Sequence, residues 1–382
     1  MRTEFDAVVI GAGIAGSAAA CALARRGWEV ALIDKDKFPR HKACGEFLSP
    51  ESLGTLKKLG LSRAIAALGP ATIRTVRLHT DRGGASLQIP LPGPAIGLSR
   101  LALDSVLQQS ARAEGASVYT GVTVAGISDI GDDRFVTLSA KDGGELVRAR
   151  AVIAAWGRHP LRSYDRAKTT EPSSGETYMG IKTHYSTIDT DEAVDLYFFR
   201  DGYIGLAPIE GGRLNAAAII TPSAYRRYGS MNAVAHILDE ASARIPLLRR
   251  RLEKAEQVPG TQAAAAPVRT RAKPSGWNGL PCVGDAMAAI PPFCGDGMAM
   301  ALRSAELCVP MADAYLHGLS TYEQWEETYT AQIREEFAGP LRWGGWLERL
   351  LTRPALASWA LRAGAVIPGI AERLVRATRL RH

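Results

Sequence analysis

The amino-acid sequence predicts an α/β fold: a Rossmann-like domain interleaved with a second, β-sheet domain and finished by C-terminal helices. Three observations carry that expectation. The stretch from Asp6 to Asp34 reads as strand, glycine loop, helix and strand. Short apolar runs separated by glycine-containing turns crowd residues 178–220, a hairpin signal. Helical patterns then fill the chain from Met298 onward.

The first of these is the most specific. Ala7 to Ile10 is apolar and rich in β-branched residues, the pattern of a buried strand. Gly11, Gly13 and Gly16 follow as G-x-G-x-x-G, and an alanine-rich helix runs from Ile14 to Arg26 with Gly27 as its C-cap. Gly11 permits the tight turn out of the strand, and Gly13 lets backbone approach a pyrophosphate. Gly16, with Ala15 and Ala19, lets the helix pack close to the sheet. The helix N-terminus offers N–H groups and a positive dipole end to phosphates. A second strand, Val30 to Ile33, ends on Asp34 with Lys35 beside it, placed to accept hydrogen bonds from an adenosine ribose. Strand, helix, second strand and terminal acid agree on a dinucleotide site. Lys35 and Lys37 are read as solvated, because Asp34 would repel a 2′-phosphate.

The chain has 382 residues, enough for one large or two interleaved domains with a sizeable core. Five cysteines, at 21, 44, 282, 294 and 308, show no metal spacing, so no metal site is expected. The first strand begins almost at Met1, without a signal peptide, and no apolar run is long enough to span a bilayer. A cytoplasmic, reducing location is expected. The formal net charge is +7, of which eight arginines against Glu348 and Glu372 after Leu341 contribute +6. The body is therefore near neutral, which argues against nucleic-acid binding.

The remaining elements follow in order. Proline and charge put residues 35–43 in a loop, and Ser49-Pro50-Glu51 starts a helix ended by Gly60. Residues 73–79 and 85–91 read as strands outside any βαβ repeat, the first incursion of the second domain. A helix opens at Arg100 and closes at Gly115. Strands are expected at 118–119, 122–127, 135–140 and 146–155, the last leading into Trp156-Gly157-Arg158. Four more span Tyr178–Tyr185, Val194–Phe199, Tyr203–Ala207 and Arg213–Ile220. Helices are expected at 231–243 and 246–254, a short buried strand at Leu280–Val283, and helices at Met298–Leu316 and at roughly 321–337 and beyond.

With the glycine motif, Arg100 at a helix start, Gly284-Asp285, and Gly295-x-Gly297 opening a helix complete a pattern. Together they resemble the flavoprotein superfamily of p-hydroxybenzoate hydroxylase, the flavin halogenases and the geranylgeranyl reductases. The likeness runs to roughly residue 340. It is nearest to the geranylgeranyl reductase family, whose Cys-Gly-Glu segment is matched by Cys44-Gly45-Glu46-Phe-Leu-Ser-Pro. The resemblance implies FAD. Asp34 would bind the adenosine ribose, Arg100 would contact the cofactor, Val124 would border the adenine, and Asp285 would bind the ribityl chain. Gly295, Gly297 and Met298 would lie at the pyrimidine end, where a helix N-terminus suits the negative charge of reduced flavin. Cys44 and Gly45 would face the flavin, with Cys44 the catalytic candidate. A free cysteine is otherwise often a small buried residue.

The chain departs from the family in two places. Trp156-Gly157 stands where many relatives carry Asp-Gly. The Tyr-x-Trp-x-Phe-Pro run of the lipid pocket is matched by Tyr203-Ile-Gly205-Leu-Ala207-Pro208, which implies a wider or differently shaped substrate pocket. Glu46 and His41 are read as structural hydrogen-bonding groups in preference to acids or bases, and His184 as a satisfied sheet histidine in preference to a pocket residue. Cys44 and Cys294 are expected to approach each other across the flavin.

The expected domains are FAD-binding at 1–72, 98–165 and 275–320, substrate-binding at 73–97 and 166–274, and a helical segment at 321–382. The resemblance implies a FAD-dependent oxidoreductase that reduces a C=C bond of an apolar, prenyl or polyketide-like substrate. The alternative is a FAD-dependent monooxygenase acting on an aromatic or polyketide-like compound. A single G-x-G-x-x-G leaves no second Rossmann unit for a resident NAD(P)H, so NAD(P)H binds transiently or a donor protein reduces the flavin. The tail, with Trp343, Trp346 and Trp359, reads as a helical cap on the body. The other reading is an amphipathic surface that touches anionic membrane.

Overall fold

Strands gather into two sheets, and helices cover the first of them. The structure is a computed structural model. It describes every residue except 1, 81–85, 131–132, 139–144, 159–160, 162–176, 188–189, 201, 229–232, 270–272, 289–294, 352–355, 358–359, 362–379 and 381–382. In chain order the elements are β1 (Glu4–Ile10), α1 (Ile14–Ala24), β2 (Val30–Asp34), β3 (Phe47–Leu48), α2 (Pro50–Lys58), α3 (Ser62–Ala66), β4 (Ala71–Thr80), β5 (Ser86–Gly97) and α4 (Arg100–Ala113). They continue with β6 (Ser117–Thr120), β7 (Val124–Ile130), β8 (Asp133–Leu138), β9 (Glu145–Ala154), β10 (Thr177–Ser186), β11 (Ala193–Phe199), β12 (Gly202–Ile209) and β13 (Arg213–Ile220). The last are α5 (Pro222–Tyr228), α6 (Ala233–Arg244), α7 (Pro246–Leu252), β14 (Glu256–Gln257), β15 (Ala263–Arg269), α8 (Gly297–Leu316) and α9 (Tyr322–Leu351).

The first sheet has the order β6-β2-β1-β9-β8-β7. Its β6-β2-β1-β9 portion is parallel, and β8 and β7 continue it antiparallel. The central strands β1 and β2 carry continuous buried apolar runs, Ala7–Ile10 and Val30–Ile33, as strands covered on both faces should. Helix α1 is buried along its whole length and packs against α4 and α8, which explains why it is alanine-rich on every side.

The second sheet has the order β14-β10-β13-β12-β11-β4-β5-β3, with β15 also pairing β10. Its one parallel pair joins β4 to β11 and unites the early strands with the later ones.

Two expectations of the sequence need correction. Leu280–Val283 is not a strand: one parallel bridge joins Cys282 to Ala154, and Gly284 at φ +64° turns the chain at once. Pro281 lacks an N–H, so it can only accept, and it does so from Ala154 N–H at 2.8 Å. The alanine run at 263–266, to which the sequence assigns no element, is the body of β15, because pairing with β10 overrides the weak strand preference of alanine. The helices expected at 321–337 and beyond are one continuous helix, α9, which runs through Pro340 to Leu351. A helix-interior proline costs about 3 kcal/mol. Here Trp325, Tyr329, Ile333, Phe337 and Leu341, each four residues from the next, are all buried and hold the helix against the body.

Candidate active site

A cavity of about 1640 Å³ runs from the C-terminal ends of β1 and β2 to the face of the second sheet. Gly11, Gly13, Ala15, Asp34, Lys35, Cys44, Gly45, Arg100, Val124, Asp285, Gly295, Gly297 and Met298 all line it, as do Tyr203, Gly205 and Ala207. Gly16 and Pro208 do not. Gly16 lies beneath the loop, where an added Cβ would sit 1.9 Å from the Gly11 carbonyl oxygen, so its part is helix–sheet packing. Pro208 is one residue out of phase with 203, 205 and 207 on β12 and so faces away, its carbonyl packed against Gly97. Cys294 lies outside the described residues, and with it the expected approach to Cys44.

The glycine loop is shaped for an anion. Gly11 sits at φ +114°, and a Cβ there would meet the Ala155 carbonyl oxygen at 2.2 Å. Gly13 is the N-cap of α1 and gives the helix no side-chain cap. A Cβ added to Gly13 would lie 3.8 Å from Lys42 Nζ and 3.9 Å from an Arg100 guanidinium nitrogen. Two cations thus stand over a helix N-terminus, an arrangement that suits a pyrophosphate. Both are held by Asp104, itself buried. Arg100 makes two bonds to it, at 3.0 and 2.9 Å, and Lys42 Nζ lies 2.8 Å away. Burial alone would raise the Asp104 carboxyl, but Arg100 and Lys42 outweigh it and hold it below the usual carboxylate range. Gln108 fixes the loop from below by donating to the Ala12 carbonyl at 2.9 Å.

The other end of the cofactor half is built similarly. The Asp34 carboxylate accepts from the Ala12 N–H at 2.7 Å and the Asp36 N–H at 2.8 Å, which pins it at the tip of β2. Helix α8 begins at Gly297 with no side-chain cap, so its N-terminus also opens onto the cavity. Asp285 pairs with Arg158 Nε at 2.9 Å. The chain that lacks Asp at 156 thus carries a cation two residues on, against the very carboxylate expected to hold the ribityl chain.

Between the two halves stand Cys44 to Glu46. Asn215 holds the Cys44 carbonyl at 2.9 Å, and the thiol accepts from the Glu46 N–H at 3.4 Å. Burial pushes the Cys44 thiol up, against the pull of Arg100 beside it, so it is protonated at neutral pH. Glu46 occupies the left-handed region at φ +56°. Its carboxylate is buried between Lys182 at 3.0 Å and His184 at 2.7 Å, and also accepts from the Arg100 N–H at 2.9 Å. His184 is therefore a bonded sheet histidine, and its partners are charged. Beyond this point the wall is aliphatic, with Val76, Leu78, Leu87, Ile89, Val194 and Leu196 from β4, β5 and β11. Leu347 and Leu350 of α9 line it too, so the C-terminal helix is part of the cavity as well as a cap.

Sequence reading missed Lys42, Asp104 and Lys182. Lys182 left one signal: a lysine within the otherwise apolar start of β10, Tyr-Met-Gly-Ile-Lys-Thr.

Comparison with known proteins agrees with this architecture. The family model described as FAD binding domain matches residues 4–333. Menaquinone reductase of Mycobacterium tuberculosis is 27% identical over 328 residues, covering 81% of this chain and 76% of that protein. Digeranylgeranylglycerophospholipid reductase 2 of Methanopyrus kandleri is 26% identical, covering 87% of this chain and 83% of its own length. The solved structure of a flavin-dependent brominase shares the fold, with a TM-score of 0.79 at 18% identity, over 98% of this chain and 93% of the brominase.

Proposed function

This chain belongs to the FAD binding domain family and is a FAD-dependent oxidoreductase, and we propose that it reduces a carbon–carbon double bond of an apolar substrate with electrons from NAD(P)H. The observation that carries the reading is the aliphatic wall continuous with the cofactor half, with Cys44-Gly45-Glu46 at the junction. Two similar proteins are named as reductases, one of a quinone and one of a lipid, which supports an apolar acceptor.

Bound FAD supplies hydride-transfer chemistry. The first turn of α1, with Lys42 and Arg100, holds the pyrophosphate, and Asp34 and Lys35 stand at the ribose. Val124 would border the adenine, Asp285 would meet the ribityl chain, and Gly295, Gly297 and Met298 would close the pyrimidine end. Tyr203, Gly205 and Ala207 shape the substrate side. Cys44, neutral at physiological pH, hands a proton to the substrate carbon that does not receive hydride. NAD(P)H reaches the site only transiently, or a donor protein takes its place.

Anaerobic reduction of the holoenzyme, followed by mixing with polyprenyl and phenolic compounds with and without oxygen, tests this. Reoxidation by a polyprenyl compound without oxygen, giving a product two hydrogens heavier, is the expected result. Reoxidation only with oxygen, and labelled oxygen in the product, would instead establish a monooxygenase.

The C-terminal helix adds a partner. Trp343 and Trp346 are 45% and 50% exposed with ring centroids 5.9 Å apart, and Trp346 also lines the cavity. Among the described residues no helix is long and apolar enough to cross a membrane. The pair suits insertion at a bilayer interface, next to where an apolar substrate would enter. The double substitution Trp343→Ser with Trp346→Ser is expected to lower co-sedimentation with anionic liposomes about tenfold, as a loss near 1.4 kcal/mol would do. Unchanged binding would remove the membrane role.

A further inference from the structure

A group of titratable side chains on the cavity wall has no part in the steps above. Lys182 is fully buried, and its ammonium reaches Glu46 Oε1 at 3.0 Å, His41 Nδ1 at 3.1 Å and His184 Nε2 at 2.7 Å. His184 Nε2 is also 2.7 Å from Glu46 Oε2. A ring nitrogen offers one in-plane site, a proton or a lone pair. If Nε2 carries a proton toward Glu46, Lys182 must give one up to face it. If Nε2 accepts from Lys182, the facing Glu46 oxygen is left without a donor. One proton thus has several seats within a few ångströms. His184 Nδ1 has no hydrogen-bond partner among the described residues, so the ring is tied into the cluster at Nε2.

The placement gives this cluster an outlet. Glu46 and His41 line the cavity, and Lys182 and His184 stand behind them. Burial lowers Lys182 and His41, and neighbouring Lys182 lowers His41 further, so neither is locked in its charged form. The other charged or titratable groups around the cluster are Cys44, Arg100, Glu210 and Arg213.

We propose that Glu46, Lys182 and His184 form a buried proton store that recharges the cavity through His41. This rests on the reading of the enzyme as a C=C reductase and supplies what that reading lacks. With FAD bound, the cofactor would supply a hydride for one carbon of the double bond, and Cys44 would give its proton to the other. The thiol is left as a thiolate beside Arg100 and must be refilled before the next turnover. Lys182 gives a proton to His41, His41 gives one to Cys44 across the cavity, and water that enters when product leaves returns a proton to Lys182 by way of His41. Lys182 and His184 are positioning residues here, because they act through His41.

The test separates the first turnover from the later ones. Holoenzyme, Lys182→Met and His41→Gln are reduced anaerobically and mixed with one equivalent of a polyprenyl acceptor, then assayed under continuous turnover from pH 5 to 9. Flavin content and single-turnover reoxidation are expected to stay within about twofold of the parent, with continuous turnover about 100-fold slower and falling steadily as pH rises. Lys182→Arg keeps the charge beside Glu46 but cannot release a proton, so it should preserve the fold without restoring the rate. Single and continuous turnover that fall together, or neither falling, would overturn the store. If the parent itself reduces no apolar alkene without oxygen, the functional reading fails, and nitrogen-15 NMR of the histidines decides the store separately. A His41 signal that titrates in the parent and moves to a higher midpoint in Lys182→Met upholds it. Signals flat from pH 5 to 9 overturn it.

Discussion

Gly16→Val is expected to purify with roughly a tenth or less of its FAD, a loss of at least 1.4 kcal/mol in cofactor binding. The cause is geometric. A Cβ at Gly16 would lie 1.9 Å from the Gly11 carbonyl oxygen and 2.9 Å from the Ala155 Cβ. The first of these is backbone and cannot swing aside. Helix α1 would have to lift from the sheet, moving its N-terminus away from Lys42 and Arg100. Flavin absorbance per protein, read alongside far-ultraviolet circular dichroism, checks this. A folded protein with full flavin content would refute it.

The second large effect is on stability. Glu46→Gln keeps a similar shape and removes the charge opposite a fully buried Lys182. Breaking a buried ion pair in this way costs about 3–5 kcal/mol. For a chain of 382 residues this lowers the melting temperature by about 4–6 °C. The deficit should depend on pH. Burial would raise the Glu46 carboxyl, but His184 and Lys182 hold it below its ordinary value. Its contribution is therefore present above the unfolded carboxylate range and lost as pH falls through the lower folded value. Burial lowers Lys182, so in the variant the unpaired amine releases its proton and the deficit shrinks as pH rises. Thermal melts from pH 4 to 10 should show the largest gap near neutrality, and a gap independent of pH would remove the electrostatic explanation.

Both residues were visible in the sequence, but to different degrees. Gly16 was legible in its physical role because a glycine motif is local: strand, turn and helix are read within 30 residues. Asp34 was legible for the same reason, since period and turn chemistry act over short spans, whereas the α8 start and the cavity positions on β12 were placed by the family resemblance. Pro208 shows the limit, because the matched run placed it with its neighbours while strand alternation turns it away. Glu46 was read as a structural hydrogen-bonding group, yet its partner Lys182 lies 136 residues on. No local pattern announces such a pair. Lys42 and Asp104 meet across 62 positions under the same restriction. Helix α9 passed through Pro340 because the buried stripe from Trp325 to Leu341 outweighs one proline, a balance set by tertiary packing.

The parallel pairing of β4 with β11 also governs how the protein is made. Thr80 ends β4, and Ala193 begins β11 more than 100 residues later. At ribosomal rates that interval lasts roughly 5–20 s. Throughout it the β4–β5 hairpin carries an unpaired edge, the kind of surface that invites pairing with another chain. Such distant closure slows folding and favours intermediates. Yield of this enzyme should therefore depend on chaperone supply and growth temperature far more than its final stability suggests. A fragment ending before β11 would expose that edge permanently.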